Sequence, residues 1–388
     1  MPQQPVYLDY AATTPVAPEV AVAMARHLTL DGVFGNPASR SHFHGWQAEA
    51  AVEHARREVA DLLGADPRDI VWTSGATEAN NLALKGVALG WADRGGHLVC
   101  SGIEHRAVLD PMSWLVRQGR ALTLVPPDAR GRITPEAVAA SLRPDTVLVS
   151  IMHANNEVGT LNDIEAIGRL CRERGVLFHV DAAQTVGKLP LDLGSLPVDL
   201  LSLSGHKFYA PKGVGALYVR RALQRQLEPQ THGGGHERGL RSGTLATHQL
   251  VGLGEACRLA REQMAADADL LESLRSRLWQ GLEDLPGVVL NGAATERLPG
   301  ILNLRFEGCN GEALLAALAG LAVSSGSACT SASLEPSHVL KAMGLSDEQA
   351  HSSLRFSLGR YTTAADIDRS IEVVRRAVER LQGSRRSA

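Results

Sequence analysis

The stretch Leu200-Leu201-Ser202-Leu203-Ser204-Gly205-His206-Lys207 is an apolar run that passes directly into small and polar residues. Three further apolar runs of this kind lie upstream, at residues 98–100, 147–149 and 176–178, and stretches with helical periodicity separate them. Continuous apolar runs between amphipathic helices are typical of parallel strands that are buried on both faces. The sequence therefore predicts an α/β fold with a mostly parallel sheet in its larger domain.

Length and charge narrow the class of protein. The 388 residues are too many for one ordinary core and favour two domains. Lys and Arg total 39 against 42 Asp and Glu, so the formal net charge of -3 gives no electrostatic reason to expect direct binding to nucleic acid. The longest apolar run, residues 313–323, is shorter than the roughly 20 residues that a membrane span needs. Residues 1–9 do not resemble a signal peptide, and we expect no membrane partner.

The cysteines indicate the compartment, and one of them differs from the rest. Five cysteines without a CxxC pair argue for a reducing cytosol and against a disulfide framework, so we expect a cytoplasmic protein. Cys329 lies among the small and polar residues 324–333, where a thiol can react, and Cys309 is the other candidate for an exposed thiol. From the residues alone, Cys329 is as well explained by an ordinary thiol as by a nucleophile.

The pattern changes after residue 260. Leucines recur at helical spacing from residue 270 to residue 285, which predicts a long amphipathic helix. We expect a larger domain over residues 17–260 and a smaller α+β domain, formed by residues 1–16 and 261–388, that carries Cys329. The other elements predicted for the smaller domain are strands near residues 288–290, 301–306 and 354–357 and a last helix that begins at Thr363 and Asp366.

Polar residues follow the apolar runs where the predicted strands end. His105, Asn156, Asp181, Gln184 and Lys207 all occupy such positions, and the carboxyl ends of parallel strands meet in one cleft. A lysine amine forms a Schiff base with an aldehyde, an aspartate pairs with a protonated ring nitrogen, and a histidine stacks on a ring or moves protons. The set suits a pyridine cofactor. Taken singly, Asp181 also fits a satisfied structural carboxylate, and Lys207 fits a surface ammonium.

A phosphate cradle is predicted at residues 73–81, where a glycine turn follows an apolar run and opens a helix. Free backbone N–H groups at a helix N-terminus bind anions. The Thr77 hydroxyl would add a donor there, as would Ser204 and His206. The competing interpretation is an ordinary capped helix without a ligand.

Two further features remain open on the residues alone. Gly233-Gly234-Gly235 leads into residues 241–244; glycines permit a close backbone approach, but most such runs are flexible loops. Arg355 lies within an apolar predicted strand. It fits a two-pronged hydrogen bond to a substrate carboxylate, and it fits an internal ion pair almost equally well.

Together these motifs resemble the cysteine desulfurases of the class V aminotransferase family, most closely the housekeeping members that supply sulfur for iron–sulfur clusters. The resemblance implies the fold type I architecture of pyridoxal-phosphate-dependent transferases. The matching stretches span nearly the whole chain in the family's order, and they are specific jointly rather than singly. They are residues 7–14, 35–39, 73–81, 153–159, 181–184, 204–207, 241–244 and 324–334.

The resemblance implies a role for each residue around the cofactor ring. Pyridoxal phosphate (PLP) is expected to be held covalently on Lys207. Asp181 is expected to pair with the pyridinium nitrogen, and Gln184 to reach the ring hydroxyl. His105 is expected to stack on the ring and to move protons.

The other matched residues are expected to hold the phosphate and the substrate. Thr244 reaches the phosphate of the neighbouring subunit in the family, which implies a homodimer. Asn156 and Arg355 receive the substrate carboxylate, and Asn156 also contacts the cofactor. The residues expected to hold the phosphate within one subunit are Ala76, Thr77, Ser204 and His206.

The implied reaction consumes free L-cysteine. Lys207 removes the Cα proton, and the Cys329 thiolate attacks the substrate sulfur, which gives L-alanine and a persulfide on Cys329. The sulfur then passes to an acceptor protein such as an iron–sulfur scaffold, with which Cys329 could transiently ligate a cluster; no resident metal is predicted. Residues 324–334 resemble the subgroup with a long cysteine loop. The chain stops at residues 384–388, without the tail that helps housekeeping members to dock the scaffold. We expect intact catalysis, and the sequence leaves open whether the scaffold docks in the usual way.

Four other functions compete with this one. A selenocysteine lyase is very close, and the sequence does not separate it from a desulfurase. An aminotransferase of small amino acids on the same scaffold would need a 2-oxo acid and no cysteine. A non-catalytic interaction protein would not need Lys207, Asp181 and His105. A metal hydrolase is disfavoured because His232 and His236 lack carboxylates at ligand spacing and no HExxH occurs.

Overall fold

The computed structural model describes residues 4–325 and 335–386. Its strands, in chain order, are β1 (Val6–Tyr7), β2 (Ile70–Thr73), β3 (His97–Ser101), β4 (Ala121–Val125), β5 (Thr146–Ser150), β6 (Leu177–Asp181), β7 (Leu200–Ser204), β8 (Gly215–Val219), β9 (Val288–Asn291), β10 (Ile301–Phe306), β11 (Leu321–Ala322) and β12 (Ser353–Ser357). Its α-helices are α1 (Pro18–Ala25), α2 (Phe43–Leu63), α3 (Ala76–Gly90), α4 (Arg106–Arg117), α5 (Pro135–Ser141), α6 (Ile164–Glu173), α7 (Thr247–Gln280), α8 (Gly311–Ala317), α9 (His338–Ala342), α10 (Asp347–His351) and α11 (Ala364–Arg386).

A seven-stranded sheet forms the centre of residues 70–219, with the strand order β2-β8-β7-β6-β5-β3-β4. The pairs from β7 through β6, β5 and β3 to β4 are parallel. Strand β8 is antiparallel to both of its neighbours, β7 and β2. The predicted α/β fold with a mostly parallel sheet is confirmed.

The inner strands are buried along their whole length because apolar clusters cover both faces of the sheet. Leu201 lies in one cluster and Leu200 in the other, as successive residues of a strand must. Phe178 and Leu177 divide in the same way on β6. This two-sided burial explains why the strands read as continuous apolar runs rather than as an alternating pattern.

A three-stranded antiparallel sheet, in the order β12-β10-β9, follows the first. It belongs to a separate apolar cluster, to which α7 contributes Leu271 and Leu278 and α11 contributes Val374. None of the helices in the described ranges is long and apolar enough to cross a membrane.

The helix predicted from the leucine pattern is present as α7, but it ends earlier than predicted. Helix α7 stops at Gln280, with Gly281 at its C-cap. Leu282 and Leu285 lie beyond it and are nevertheless buried, so their spacing reflects the apolar core rather than a continuing helix. The predicted start of α11 is confirmed, since Thr363 Oγ1 accepts from the Asp366 N–H at 3.1 Å and Asp366 Oδ2 accepts from the Thr363 N–H at 2.9 Å.

Candidate active site

A cavity of about 540 Å³ lies at the carboxyl ends of the central strands. It collects residues from distant parts of the chain, as the rule for ligand sites of α/β sheets predicts. The predicted site residues that line it are Ala76, Thr77, His105, Asn156, Asp181, Gln184, Ser204, His206, Lys207 and Arg355.

Lys207 reaches the cavity from a single 3-10 turn, Gly205–Lys207, that follows β7 directly. Its Nζ donates to the backbone carbonyls of Ala11 at 2.7 Å and Ala12 at 2.9 Å. The N-terminal segment therefore holds the amine at the cavity wall. An amine in a cavity of this size is positioned to meet an aldehyde or another electrophilic carbon.

Asp181 is the last residue of β6 and is almost completely buried. Asn80, one turn into α3, donates to its Oδ2 at 2.8 Å, and the Ala183 N–H donates to its Oδ1 at 2.9 Å. Hydrogen bonds to the charged form favour the carboxylate. Asp181 therefore presents a supported negative charge to the cavity, as pairing with a ring N–H requires.

The stretch predicted as an anion cradle forms the N-terminus of α3. Gly75 is the N-cap residue, its φ is 147°, and no side chain caps the helix. A Cβ at Gly75 would lie 3.4 Å from the Ser204 hydroxyl, so the glycine keeps the turn close to the end of β7. The first residues of α3 line the cavity together with Ser204, so unpaired N–H groups of the helix N-terminus and the hydroxyls of Thr77 and Ser204 could donate to an anion there.

His206 is an uncharged member of the cradle. Burial, and then the charges of Lys207, Lys212 and Lys188, lower its pKa to about 4. Its Nδ1 lies 3.1 Å from Thr13 Oγ1. The positive charge that this end of the cavity offers to an anion comes instead from Lys207 and Lys212, which both line it.

His105 is the N-cap residue of α4, and its Nδ1 accepts from the Ala107 N–H at 3.0 Å. In the neutral ring this bond leaves the proton on Nε2.

Two buried carboxyl groups support the surrounding loops. Burial raises the pKa of Glu104 to about 8, and it also raises the pKa of Glu157, whose Oε2 accepts from Ser337 Oγ at 2.5 Å.

Arg355 forms the internal ion pair that was one of the two interpretations left open, and it also lines the cavity. Its side chain is 3% exposed, and its Nη2 donates to Asp9 Oδ1 at 2.8 Å, which is an internal ion pair. Its Nη1 donates to the Asn156 carbonyl at 2.7 Å. Arg355 also lines the cavity, where its guanidinium faces the space that Asn156 shares.

Three residues singled out by the sequence differ from the rest. Thr244 is exposed and does not line the cavity of its own chain. Cys329 lies outside the described residues. Cys309, the alternative thiol, is buried, so the expectation that it could be exposed is wrong.

The structure adds site residues that the sequence did not reveal. Asn80 supports Asp181, Lys212 lines the cradle, and Lys188 donates to Gln184 Oε1 at 3.2 Å. Asn80 falls within the motif at residues 73–81, so its position one helical turn after Thr77 was the available signal. Nothing in the sequence around Lys188 and Lys212 points to the cavity.

A half-buried lysine, a buried aspartate and the N-terminus of a helix thus meet at one edge of a mostly parallel sheet. The chain belongs to the class V aminotransferase family, whose model matches residues 6–369.

The curated relatives are more specific. The chain is 60% identical over 378 residues to cysteine desulfurase IscS of Pectobacterium carotovorum subsp. carotovorum (strain PC1), a match that covers 97% of this chain and 94% of that protein. It is 58% identical, with the same coverage, to cysteine desulfurase IscS of Escherichia coli (strain K12 / DH10B).

Solved structures agree with the fold. A NifS-like protein superposes with a TM-score of 0.89 at 38% identity and covers 97% of this chain and 99% of that one. SspA in complex with cysteine superposes with a TM-score of 0.81 at 40% identity and covers 93% of this chain and 100% of that one. The chain thus shares its architecture with these proteins over nearly its whole length.

Proposed function

We propose that this chain is a cysteine desulfurase that converts L-cysteine to L-alanine and takes up the sulfur as a persulfide on Cys329. The observation that carries the proposal is the meeting of Lys207, Asp181 and Arg355 in one cavity. The high identity to IscS proteins over 97% of the chain supports the same reaction. The part assigned to Cys329 rests on its sequence motif.

The residues present fit PLP as the cofactor. Lys207 would hold it, Asp181 would face the ring nitrogen, and the open N-terminus of α3 beside Gly75 would take the phosphate. Gln184 and His105 line the cavity between these two ends. When bound, the cofactor supplies a carbonyl for the substrate amine and a ring that accepts electrons from Cα.

The chain's own groups would divide the remaining work. Arg355, with the Asn156 side chain, would bind the substrate carboxylate and so orient Cα toward Lys207. The Lys207 amine would take the Cα proton and return a proton, and His105 would hold one at Nε2. In the overall reaction the Cβ–S bond of cysteine breaks, an S–S bond forms on Cys329, and the thiol proton of the enzyme ends on the Cβ of alanine.

A homodimer is the second part of the proposal. Arg241 donates to Glu78 Oε1 at 2.7 Å, which holds the 241–244 stretch at the rim of the cavity, while Thr244 itself is exposed to solvent. Segment 22–46 is also unusually apolar on its surface: it carries six of the thirteen large apolar side chains that are exposed within the described ranges. An exposed apolar segment of this kind is typical of an interface. We therefore expect Thr244 to serve the cavity of a second subunit.

The domain boundaries, the compartment and the sulfur acceptor complete the proposal. We assign a large domain to residues 17–260 and a small one to residues 1–16 and 261–388. A separate apolar cluster formed by residues 6–8 and 271–378 supports the division, although Tyr10 and residues 339–350 pack in the cluster of the large domain. The similarity to IscS proteins supports a cytoplasmic protein that passes sulfur to an acceptor such as an iron–sulfur scaffold.

The test measures sulfide and alanine produced from L-cysteine with a reductant, using the purified protein loaded with PLP. We expect equal amounts of the two products. Cys329→Ala should keep the visible absorption of bound PLP and lose sulfide production, whereas Lys207→Ala should lose the normal visible absorption. The buried Cys257, replaced by Ala, is a matched control that keeps the reactive thiol.

Two outcomes would contradict the proposal. Sulfide production that survives Cys329→Ala would remove that residue from the reaction. Turnover of a small amino acid that requires a 2-oxo acid, without sulfide, would indicate an aminotransferase. Gel filtration or light scattering of the loaded protein checks the homodimer, and a monomer would contradict the role given to Thr244.

A further inference from the structure

Lys188 lies just behind the cavity, one turn after Gln184. It is partly buried, and its Nζ donates to Gln184 Oε1 at 3.2 Å. Neither the reaction described above nor the family motif at residues 181–184 uses it. A partly buried lysine at this position calls for an explanation, since moving an ammonium group out of water costs free energy.

The contact belongs to a continuous chain of hydrogen bonds. Gln184 Nε2 donates to the Ala11 carbonyl at 2.9 Å, and the same carbonyl accepts from Lys207 Nζ at 2.7 Å. Lys188 is therefore linked to Lys207 through one amide and one carbonyl. A change at either end is transmitted to groups that line the cavity.

The two ends of the chain fix the orientation of the Gln184 amide. A carbonyl oxygen only accepts, so the NH₂ group of Gln184 must face Ala11. The Oε1 atom then faces Lys188, which has N–H donors whether it is charged or neutral. Without Lys188 the amide oxygen would lose this partner, and only the bond to the Ala11 carbonyl would hold the amide in the geometry that leaves its second N–H for the cavity.

The charges around Lys188 come from several elements. Burial, and then the positive charges of Lys207 and Arg355, lower its pKa to about 7. On its other side is a small cavity shared with Asp267 and Tyr209, but Asp267 is already bound by Arg360 at 2.7 Å. The repulsion between Lys188 and Lys207 is mutual.

We propose that Lys188 is a positioning residue of the active site that holds the Gln184 amide with its second N–H, the one not bound to Ala11, directed at an oxygen of the bound cofactor. The inference rests on the proposed function, because it assigns that oxygen to the ring hydroxyl of PLP. Lys188 touches neither cofactor nor substrate. It acts on the cofactor through Gln184.

The experiment measures PLP affinity of the apoprotein rather than turnover. Lys188→Met keeps the length of the aliphatic stem and removes the donor, so we expect PLP to bind about tenfold more weakly, as the loss of one strong hydrogen bond predicts. Lys188→Arg should recover most of the affinity. Lys341→Met is the matched control: Lys341 forms a surface pair with Asp347, and its loss should leave affinity unchanged.

A double-mutant cycle and a cofactor analogue separate positioning from a general structural effect. In a Gln184→Leu background, Lys188→Met should change PLP affinity no further. For a PLP analogue that lacks the ring hydroxyl, Lys188→Met and wild type should bind alike. Circular dichroism checks that each variant is folded, and Lys188→Arg serves as the readout if Lys188→Met does not fold.

Unchanged PLP affinity in Lys188→Met would overturn the inference, and so would an equal loss in the Gln184→Leu background. Failure of the wild-type apoprotein to bind PLP would instead overturn the proposed function. The two failures are therefore distinguishable in one set of titrations.

Discussion

Arg56 and Arg355 are both arginines that the fold buries almost completely, and they differ in how fully their partners satisfy them. Arg56 forms a two-pronged pair with Glu237, in which both N–O distances are 2.8 Å, and it donates to the Ile70 carbonyl at 2.9 Å. It also stacks over the Trp72 ring, 5.0 Å from the ring centroid. This pair, here called the Glu237 clasp, lies away from the cavity.

Arg355 has a less complete set of hydrogen-bond partners than Arg56. It meets Asp9 through one nitrogen only, and its Nε has no hydrogen-bond partner within the described ranges. Asp9 is itself 20% exposed. A buried guanidinium at a cavity wall that has an unused donor can bind a carboxylate ligand through two parallel hydrogen bonds, as Arg56 binds Glu237 in the clasp. In this pair of arginines, the fully partnered one lies in the core and the incompletely partnered one lies at the cavity wall.

The largest expected effect is at the clasp. Arg56→Met leaves the Glu237 carboxylate buried without its cation, which costs about 3–5 kcal/mol of folding free energy. We expect a large fall in the urea midpoint, with PLP binding lost only as far as the protein unfolds. Urea unfolding followed by circular dichroism measures it.

Two controls make the clasp prediction decisive. Glu53→Gln removes only a partly exposed partner of Arg56 and should change stability by less than about 1 kcal/mol. The double variant Arg56→Met, Glu237→Gln should be more stable than Arg56→Met alone, because no buried charge is left unpaired. An Arg56→Met protein as stable as wild type would show that the clasp is not structural.

The second effect is on turnover. Arg355→Met should lower kcat/KM for L-cysteine by about 100-fold, the loss expected for a charged hydrogen bond to the substrate carboxylate, mainly through KM. Stability should fall less than in the clasp variant, since Asp9 is 20% exposed whereas Glu237 is 3% exposed. Steady-state kinetics and urea unfolding of the same preparation test both halves.

Asp9→Asn supplies the control for this residue. It removes the charge that competes for Arg355 and leaves the guanidinium in place, so KM should not rise. If Arg355→Met loses stability and keeps the KM of wild type, Arg355 is not a substrate-binding residue, and its ion pair with Asp9 is structural like the clasp.

The sequence was sufficient for the parts of the site that depend on local chemistry and on topology. Asp181 and Lys207 follow adjacent strands, and the convergence of strand ends in a parallel sheet is enough to bring them together. Residues such as Asn80 and Lys188 depend on how one element packs against another, and periodicity carries no record of that. Arg355 was ambiguous for the same reason, because its partner Asp9 lies 346 residues away. Cys329 and Thr244 remain predictions.

The smallest effect concerns a carboxyl group that resembles Arg355 in being incompletely paired. Glu104 accepts from Ser101 Oγ and from the Met152 N–H through Oε1, while Oε2 has no partner within the described ranges. Burial, assisted by the charge of Asp181, raises its pKa to about 8, so the folded protein keeps this proton at neutral pH. An unfolded chain releases it above about pH 4.3.

The sign of the pH dependence follows from that difference. The unfolded state binds fewer protons than the folded state between about pH 4.3 and pH 8, so Glu104 makes stability fall as the pH rises through this range. Glu104→Gln removes the dependence. The melting temperature of the variant minus that of wild type should therefore increase by a few degrees from pH 5.5 to pH 8.5, whatever its sign at pH 5.5. The exposed Glu312→Gln should show a constant difference, and a Glu104→Gln difference that is equally constant would mean that Glu104 is ionised in the fold.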